Sequence, residues 1–273
     1  MRLVVFTDLD GTLLDHRTYS HQAARPALDE LRRRRIPVVL CSSKTRTEIL
    51  PLREELGLLD PFVAENGGGI YVPRNYFPFP LSAARKEADY LVLELGAPYQ
   101  KLVRALDEAA KTSGVRVRGF NRMTEKEVAK LCGLSATAAR RARQREYDEP
   151  FLLEKGTPQQ EQRFFGWVQQ RGLRWRQGGR FLHLMGDNDK GVAVSRLAEL
   201  YRQHYTAIRT LGLGDSPNDL DFLAAVDLPV LVAGPDGGYD AEVRRKLPRV
   251  RLARGVGPGG WNQAVTEILA DHS

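Results

Sequence analysis

Asp8-Leu9-Asp10-Gly11-Thr12 stands one residue after the apolar run Leu3-Val4-Val5-Phe6. Strand side chains alternate between faces, and the Gly and Thr that follow signal a turn. At the carboxyl end of a strand the backbone leaves the ladder, so both acids can reach one site. That edge is where ligands bind in open α/β sheets. One carboxylate can attack phosphorus while the other moves protons, with a divalent cation screening their repulsion. A polar loop ending in a helix cap is the alternative for this segment alone.

Four further segments bear on that choice. Ser42-Ser43-Lys44-Thr45 follows the strand-like Pro37-Val38-Val39-Leu40-Cys41. Glu65-Asn66-Gly67-Gly68-Gly69 follows Phe62-Val63-Ala64. Gly186-Asp187-Asn188-Asp189-Lys190-Gly191 opens an amphipathic helix, and Gly214-Asp215-Ser216-Pro217-Asn218-Asp219 ends the run Ile208 to Leu213. In order these are D-x-D-x-T, Ser, Lys and G-D-x-x-N-D. They resemble the four signature motifs of the haloacid dehalogenase (HAD) superfamily. Together with Arg145-Glu146-Tyr147-Asp148-Glu149-Pro150-Phe151 they are similar to the mannosyl-3-phosphoglycerate phosphatase family within it. The resemblance spans most of the chain, including its middle.

The resemblance implies a phosphatase that releases phosphate from mannosyl-3-phosphoglycerate, and in some members from the glucosyl analogue, in compatible-solute biosynthesis. Asp8 would be the nucleophile and form an aspartyl phosphate. Asp10 would protonate the leaving glycerate oxygen and then activate water, and Thr12 would steady the loop. Mg²⁺ is the expected cofactor, because it prefers oxygen ligands and bridges phosphate oxygens. Its ligands would be Asp8, the Asp10 carbonyl and Asp215, with Asp219 acting through water and Asn218 orienting its neighbours. Lys190 would neutralise charge between Asp8 and the phosphoryl group; a Lys at a helix start is otherwise unfavourable against the dipole. Ser42 would contact a phosphate oxygen, with Ser43 as the alternative. Lys44 and Asn66-Gly67-Gly68 would face the substrate, glycines letting backbone N–H groups approach an anion; a simple turn is the other reading of that segment. Arg122, Arg140, Arg141, His183 and Arg145–Phe151 are candidates for sugar and carboxylate contacts. A broader sugar phosphatase of the sucrose- or trehalose-phosphate type is the competing enzyme reading.

The elements that must position these residues alternate strand and helix over the first ~80 residues, which implies a parallel sheet with helices on both faces. Strands are expected at 2–7, 37–42, 62–65 and 69–72. Pro73 to Pro80 places three prolines in eight residues and reads as the exit from a first domain. The middle changes character. Strands at 90–95, 115–120, 151–153, 173–177 and 181–185 intersperse with helices at 98–112, 124–132, 135–147 and 158–171. Thr124 with Glu127, and Thr157 with Gln160, are capping-box signals. Gly178-Gly179 reads as a hairpin turn. From Lys190 the α/β rhythm returns. The expected architecture is an α/β, Rossmann-like core over 1–82 and 187–273, with an α+β cap of C2B type inserted at 83–186. Hinges are expected near 73–82 and 185–190. Gly255 to Gly260 reads as a loop before the last helix, because no Lys-Ser/Thr follows to make a P-loop.

Composition is that of an ordinary globular chain, with 42% hydrophobic residues and two cysteines, Cys41 and Cys132. No apolar run approaches the ~20 residues of a membrane span, and Met1 leads straight into a strand with no signal-peptide pattern. The cysteines read as buried thiols in a reducing cytoplasm. The net charge of +7 reads as a solvated Arg-rich surface, as attraction of an anionic substrate, or as nucleic-acid binding. No RNA motif or helix-turn-helix accompanies the last of these, so no nucleic acid and no membrane is expected as a partner. Arg32 to Arg35 reads as a helix C-terminus. The abundance of Arg, Pro and Ala suits a thermophile.

Overall fold

The computed structural model describes residues 1–178 and 180–271. In chain order the first part contains β1 (Arg2–Thr7), α1 (Arg25–Arg33), β2 (Val38–Cys41), α2 (Arg46–Leu56), β3 (Phe62–Ala64), β4 (Gly69–Pro73), β5 (Arg85–Glu87) and β6 (Tyr90–Glu94). The middle contains α3 (Tyr99–Ser113), β7 (Arg116–Gly119), α4 (Glu125–Cys132), α5 (Ala136–Ala142), β8 (Asp148–Lys155), α6 (Pro158–Gln170), β9 (Arg174–Gly178) and β10 (Phe181–Met185). The last part contains α7 (Lys190–His204), β11 (Ile208–Gly214), α8 (Leu220–Ala224), β12 (Leu228–Ala233), α9 (Ala241–Lys246), β13 (Arg251–Val256) and α10 (Gly257–Asp271).

A nine-stranded sheet has the order β13-β12-β11-β1-β2-β3-β4-β6-β5. From β13 to β3 the neighbours are parallel. Such strands are buried on both faces and read as continuous apolar runs, and Val4, Val5 and Phe6 are all fully buried. One face packs Leu31 of α1 and Trp261 and Ile268 of α10. The other packs Val194, Leu197 and Tyr201 of α7 and Phe222 of α8. β1 lies between β11 and β2, so the chain leaves it in opposite directions. The crevice at that switch point is where Asp8 emerges.

A second sheet, β7-β8-β10-β9, is antiparallel and forms the cap with α3 and α6 against one face. The sheet boundary corrects the expected division at residue 83. β5 and β6 pair antiparallel with each other and β6 pairs with β4, so 85–94 extend the main sheet. The chain crosses into the cap at 95–98, and the prolines of 73–80 lead only to an edge strand. β5 escaped notice because Arg85-Lys86-Glu87 is wholly charged, a composition that protects an exposed sheet edge. The helix expected at 135–147 ends at Ala142, and β8 begins at Asp148, earlier than expected. Gly255 to Gly260 is no loop: it is the end of β13 and the first turn of α10. Gly260 permits this, since a Cβ there would lie 2.2 Å from the Gly255 carbonyl oxygen. The hairpin expected at Gly178-Gly179 includes Gly179, which lies outside the described residues; β9 and β10 on either side do pair antiparallel. Both other capping boxes form as expected.

Candidate active site

Asp8 leaves β1 with its backbone N–H donating to Leu213 O of β11 at 2.9 Å. Beneath it, Trp261 Nε1 donates to Thr7 Oγ1 at 2.9 Å and anchors the strand end to α10. Across the crevice, Asp189 caps α7 by accepting from Gly191 N and Val192 N. That cap fixes the start of the helix, and the first residue, Lys190, turns inward and is 2% exposed. Its Nζ lies 2.7 Å from Asp8 Oδ1 and 2.8 Å from Asp219 Oδ1. The other Asp219 oxygen accepts from Asp215 N, Ser216 N and Ser216 Oγ, which closes the turn after β11. Asp219 therefore meets the cluster directly and holds its loop at the same time. Thr12 does more than steady its own turn, because Thr12 Oγ1 donates to Asp215 Oδ1 at 2.7 Å.

Carboxylate oxygens of Asp8, Asp215 and Asp219 all lie within 4.8 Å of one another. Burial pushes Asp8 well above the usual carboxylate range; Asp219 and Asp215 push the same way, and Lys190 only partly opposes them. Burial and then Asp219 raise Asp215 to about 6, against the Thr12 hydrogen bond. Burial disfavours charge on Lys190, yet Asp219 and Asp8 together hold its pKa above the ordinary value. One ammonium thus faces more negative charge than it neutralises. An all-oxygen cluster with that excess fits a hard divalent cation. The Asp10 carboxylate stands outside the cluster. Its Oδ2 pairs with Lys44 Nζ at 2.8 Å, and its Oδ1 is buried with no protein partner. Only the Asp10 carbonyl remains for the role expected of it at a metal.

The remaining expected residues divide. Ser42 is buried and accepts from Lys44 N at 3.2 Å, while Ser43 lines the open cleft. Asn66, in a left-handed conformation, also lines it and accepts from Asn218 Nδ2 at 3.0 Å. Gly67 and Gly68 are the glycines they are for packing. A Cβ on Gly67 would lie 2.2 Å from Asp189 O, and one on Gly68 2.4 Å from Tyr147 Cβ. The Gly68 N–H also donates to Glu65 O at 3.0 Å. Arg122 and Arg140 form exposed ion pairs with Asp107 and Glu125, and the Arg141 carbonyl accepts from Thr45 and Thr47 of the core. His183 and Arg145 do reach the cleft between cap and core.

One residue that ties the site together went unassigned by the sequence reading. Glu65, fully buried with φ 50°, accepts from Glu146 N and Tyr147 N at 2.9 and 2.8 Å. Asn188 Nδ2 then donates to both Glu65 O and Tyr147 O. Cap segment, core loop and the Lys190 loop are clasped at one point. Burial raises the Glu65 carboxyl to about 8, with Arg145 opposing. An acid between two apolar runs and ahead of three glycines was the available signal.

Residues 5–92 match a model of haloacid dehalogenase-like hydrolases, which takes in β5 and most of β6. A glucosyl-3-phosphoglycerate/mannosyl-3-phosphoglycerate phosphatase of Methanococcoides burtonii is 42% identical over 273 residues, covering 100% of this chain and 99% of the relative. The chain belongs to this phosphatase family. A second member, from Persephonella marina, is 35% identical and covers 98% of this chain and 97% of its own. A haloacid dehalogenase-like hydrolase of Bacteroides thetaiotaomicron shares the fold, with TM-score 0.66 at 19% identity over 98% of this chain and 100% of its own. The phosphatase of this family described here is an enzyme of the HAD superfamily, and superfamily phosphatases use a divalent metal. Among its described residues no helix is long and apolar enough to cross a membrane.

Proposed function

We propose that this phosphatase hydrolyses glycosyl 3-phosphoglycerates, mannosyl-3-phosphoglycerate foremost and the glucosyl analogue beside it. The reading is carried by one observation: Asp8, held by Lys190 in a cluster of three carboxylates, lies two residues from an Asp10 that stands outside it. The relatives' names supply the substrate class. Asp8 forms a bond to phosphorus as the bond to glycerate O3 breaks. Asp10 passes a proton to that leaving oxygen. The aspartyl phosphate is then cut by water, whose proton returns to Asp10. Lys190 stays between the carboxylates, so Asp8 keeps one orientation through both steps. Mg²⁺ is the metal this reading takes, held by Asp8, Asp215, Asp219 and the Asp10 carbonyl; it would screen the phosphoryl charge from the cluster. Free thiols at Cys41 and Cys132 suit a cytoplasmic enzyme.

The test is phosphate release from a panel of phosphosugars and glycosyl phosphoglycerates with and without Mg²⁺. Mannosyl-3-phosphoglycerate should exceed 3-phosphoglycerate and hexose 6-phosphates by at least ~100-fold in kcat/KM. EDTA should abolish turnover and Mg²⁺ restore it. Equal efficiencies across the panel would reject the substrate and leave the phosphatase standing.

A further inference from the structure

The cleft between cap and core has two arms. The larger, about 630 Å³, runs past Asn66 and Asn218 on the core side and Trp175 and Gln177 on the cap side. The smaller, about 170 Å³, is bordered by Asp10, Lys44, Tyr19 and Arg145. Ser43 and His183 border both, and so mark the fork. Ligand pockets for drug-sized molecules occupy about 300–1,000 Å³. The larger arm lies inside that range and the smaller well below it.

The arms differ in chemistry as well as size. Lys44 engages Asp10 at 2.8 Å and sits 5.2 Å from the centre of the Tyr19 ring. An ammonium has three donors, so it can hold Asp10 and a second carboxylate together. In the larger arm Trp175 lies against Phe165, ring centres 4.1 Å apart, and fixes an aromatic wall. At the fork, His183 Nδ1 lies 2.8 Å from Asp148 Oδ2, and Asp148 is fully buried. The contact engages Nδ1 and leaves Nε2 to meet a ligand. That atom suits a sugar hydroxyl.

We propose that the cleft is forked to match a branched substrate, the small arm taking the glycerate carboxylate at Lys44 and the large arm taking the hexose past His183 towards Trp175. This rests on the glycosyl phosphoglycerate reading. Glycerate O3 must reach Asp10, which borders the small arm. Two groups then diverge from the neighbouring carbon: a carboxylate of three heavy atoms and a glycosidic oxygen bearing a ring. The large arm has much the greater room for the ring. His183 becomes a specificity-determining residue, and Asp148 its positioning residue.

Two efficiency ratios test this. The first compares mannosyl-3-phosphoglycerate with the analogue whose carboxylate is reduced to an alcohol. The second compares it with 3-phosphoglycerate, which lacks the sugar. Lys44→Met should lower the first ratio at least ~10-fold and the second less than ~2-fold. His183→Phe and Trp175→Ala should do the reverse. Because each ratio is taken within one variant, a general loss of rate cancels. Where turnover is too low, calorimetric binding of mannosylglycerate and of its alcohol counterpart gives the first ratio, and binding of mannosylglycerate and of glycerate the second. Both ratios falling together in each variant, or the effects exchanging places, would overturn the fork. A wild-type second ratio near one would instead reject the substrate reading on which the fork rests.

Discussion

At the end of β1 the charged side chains hold one another: Lys190 joins Asp8 to Asp219, Thr12 holds Asp215, and Lys44 holds Asp10. In the cap, buried oxygens of Asp148, Glu149 and Asn121 have no hydrogen-bond partner. Glu149 shows how the cap tolerates this. Burial raises its carboxyl to about 7, against hydrogen bonds from Tyr99 and Asn121 N, so a neutral acid persists where an ion would be costly. The core organises fixed charge around a reaction that does not vary. The cap instead buries Glu149, whose proton is held to higher pH, beside an Asp148 that meets Arg145 and His183.

Substitutions on each side should separate these two styles. Asp8→Asn should fold with an unchanged circular dichroism spectrum and lose at least ~10³-fold in kcat. Retention of a few per cent of activity in a clean preparation would remove the covalent step from the core's account. Lys190→Met should cost about 10²-fold in kcat and about 3–5 kcal/mol of stability in EDTA, because it strands buried carboxylates. Added Mg²⁺ should raise the melting temperature of this variant more than that of the parent; an equal rise would mean the cluster does not bind the ion. At the seam, Glu65→Gln can accept only one of the two N–H groups it faces. Chemical denaturation should show a loss of about 1–3 kcal/mol, and parental stability would deny Glu65 its clasp.

The smallest effect belongs to the cap and concerns pH. The folded pKa of Glu149, about 7, exceeds its ordinary 4.5. The native state therefore binds this proton more tightly, and the stability it contributes is complete below about 4.5 and lost as pH rises through about 7. Glu149→Gln should flatten that decline, by about 2–3 kcal/mol at pH 8. A variant as pH-sensitive as the parent would mean that Glu149 is not the neutral group.

Much of the core was legible because its signals are local. Asp8, Lys190 and Asp215 each sit at a strand or helix end that the apolar pattern marks. β5 was not legible, since an edge strand needs no apolar face. The packing need at Gly67 and Gly68 was not legible, because a glycine required for close packing looks, in sequence, like one required for an anion. The pairings of Glu65, Asn188 and Asp148 were out of reach for a different reason. Apart from Arg145, three residues from Asp148, the side-chain partners of these three residues lie between 35 and 123 residues away, and no pattern within a window encodes such pairings.

The clasp also has mechanical meaning. Gly96 packs on Gly68, Tyr147 and Asn188, and Gly186 packs on Ala97, so both chain crossings touch beside the same amide. The Arg176–Asp221 ion pair, 2.9 Å long, makes a second tie between cap and core beside the first, since the Asp221 carbonyl backs onto Gly191. Cap and core are thus joined twice within a few residues of the lysine that balances charge at Asp8.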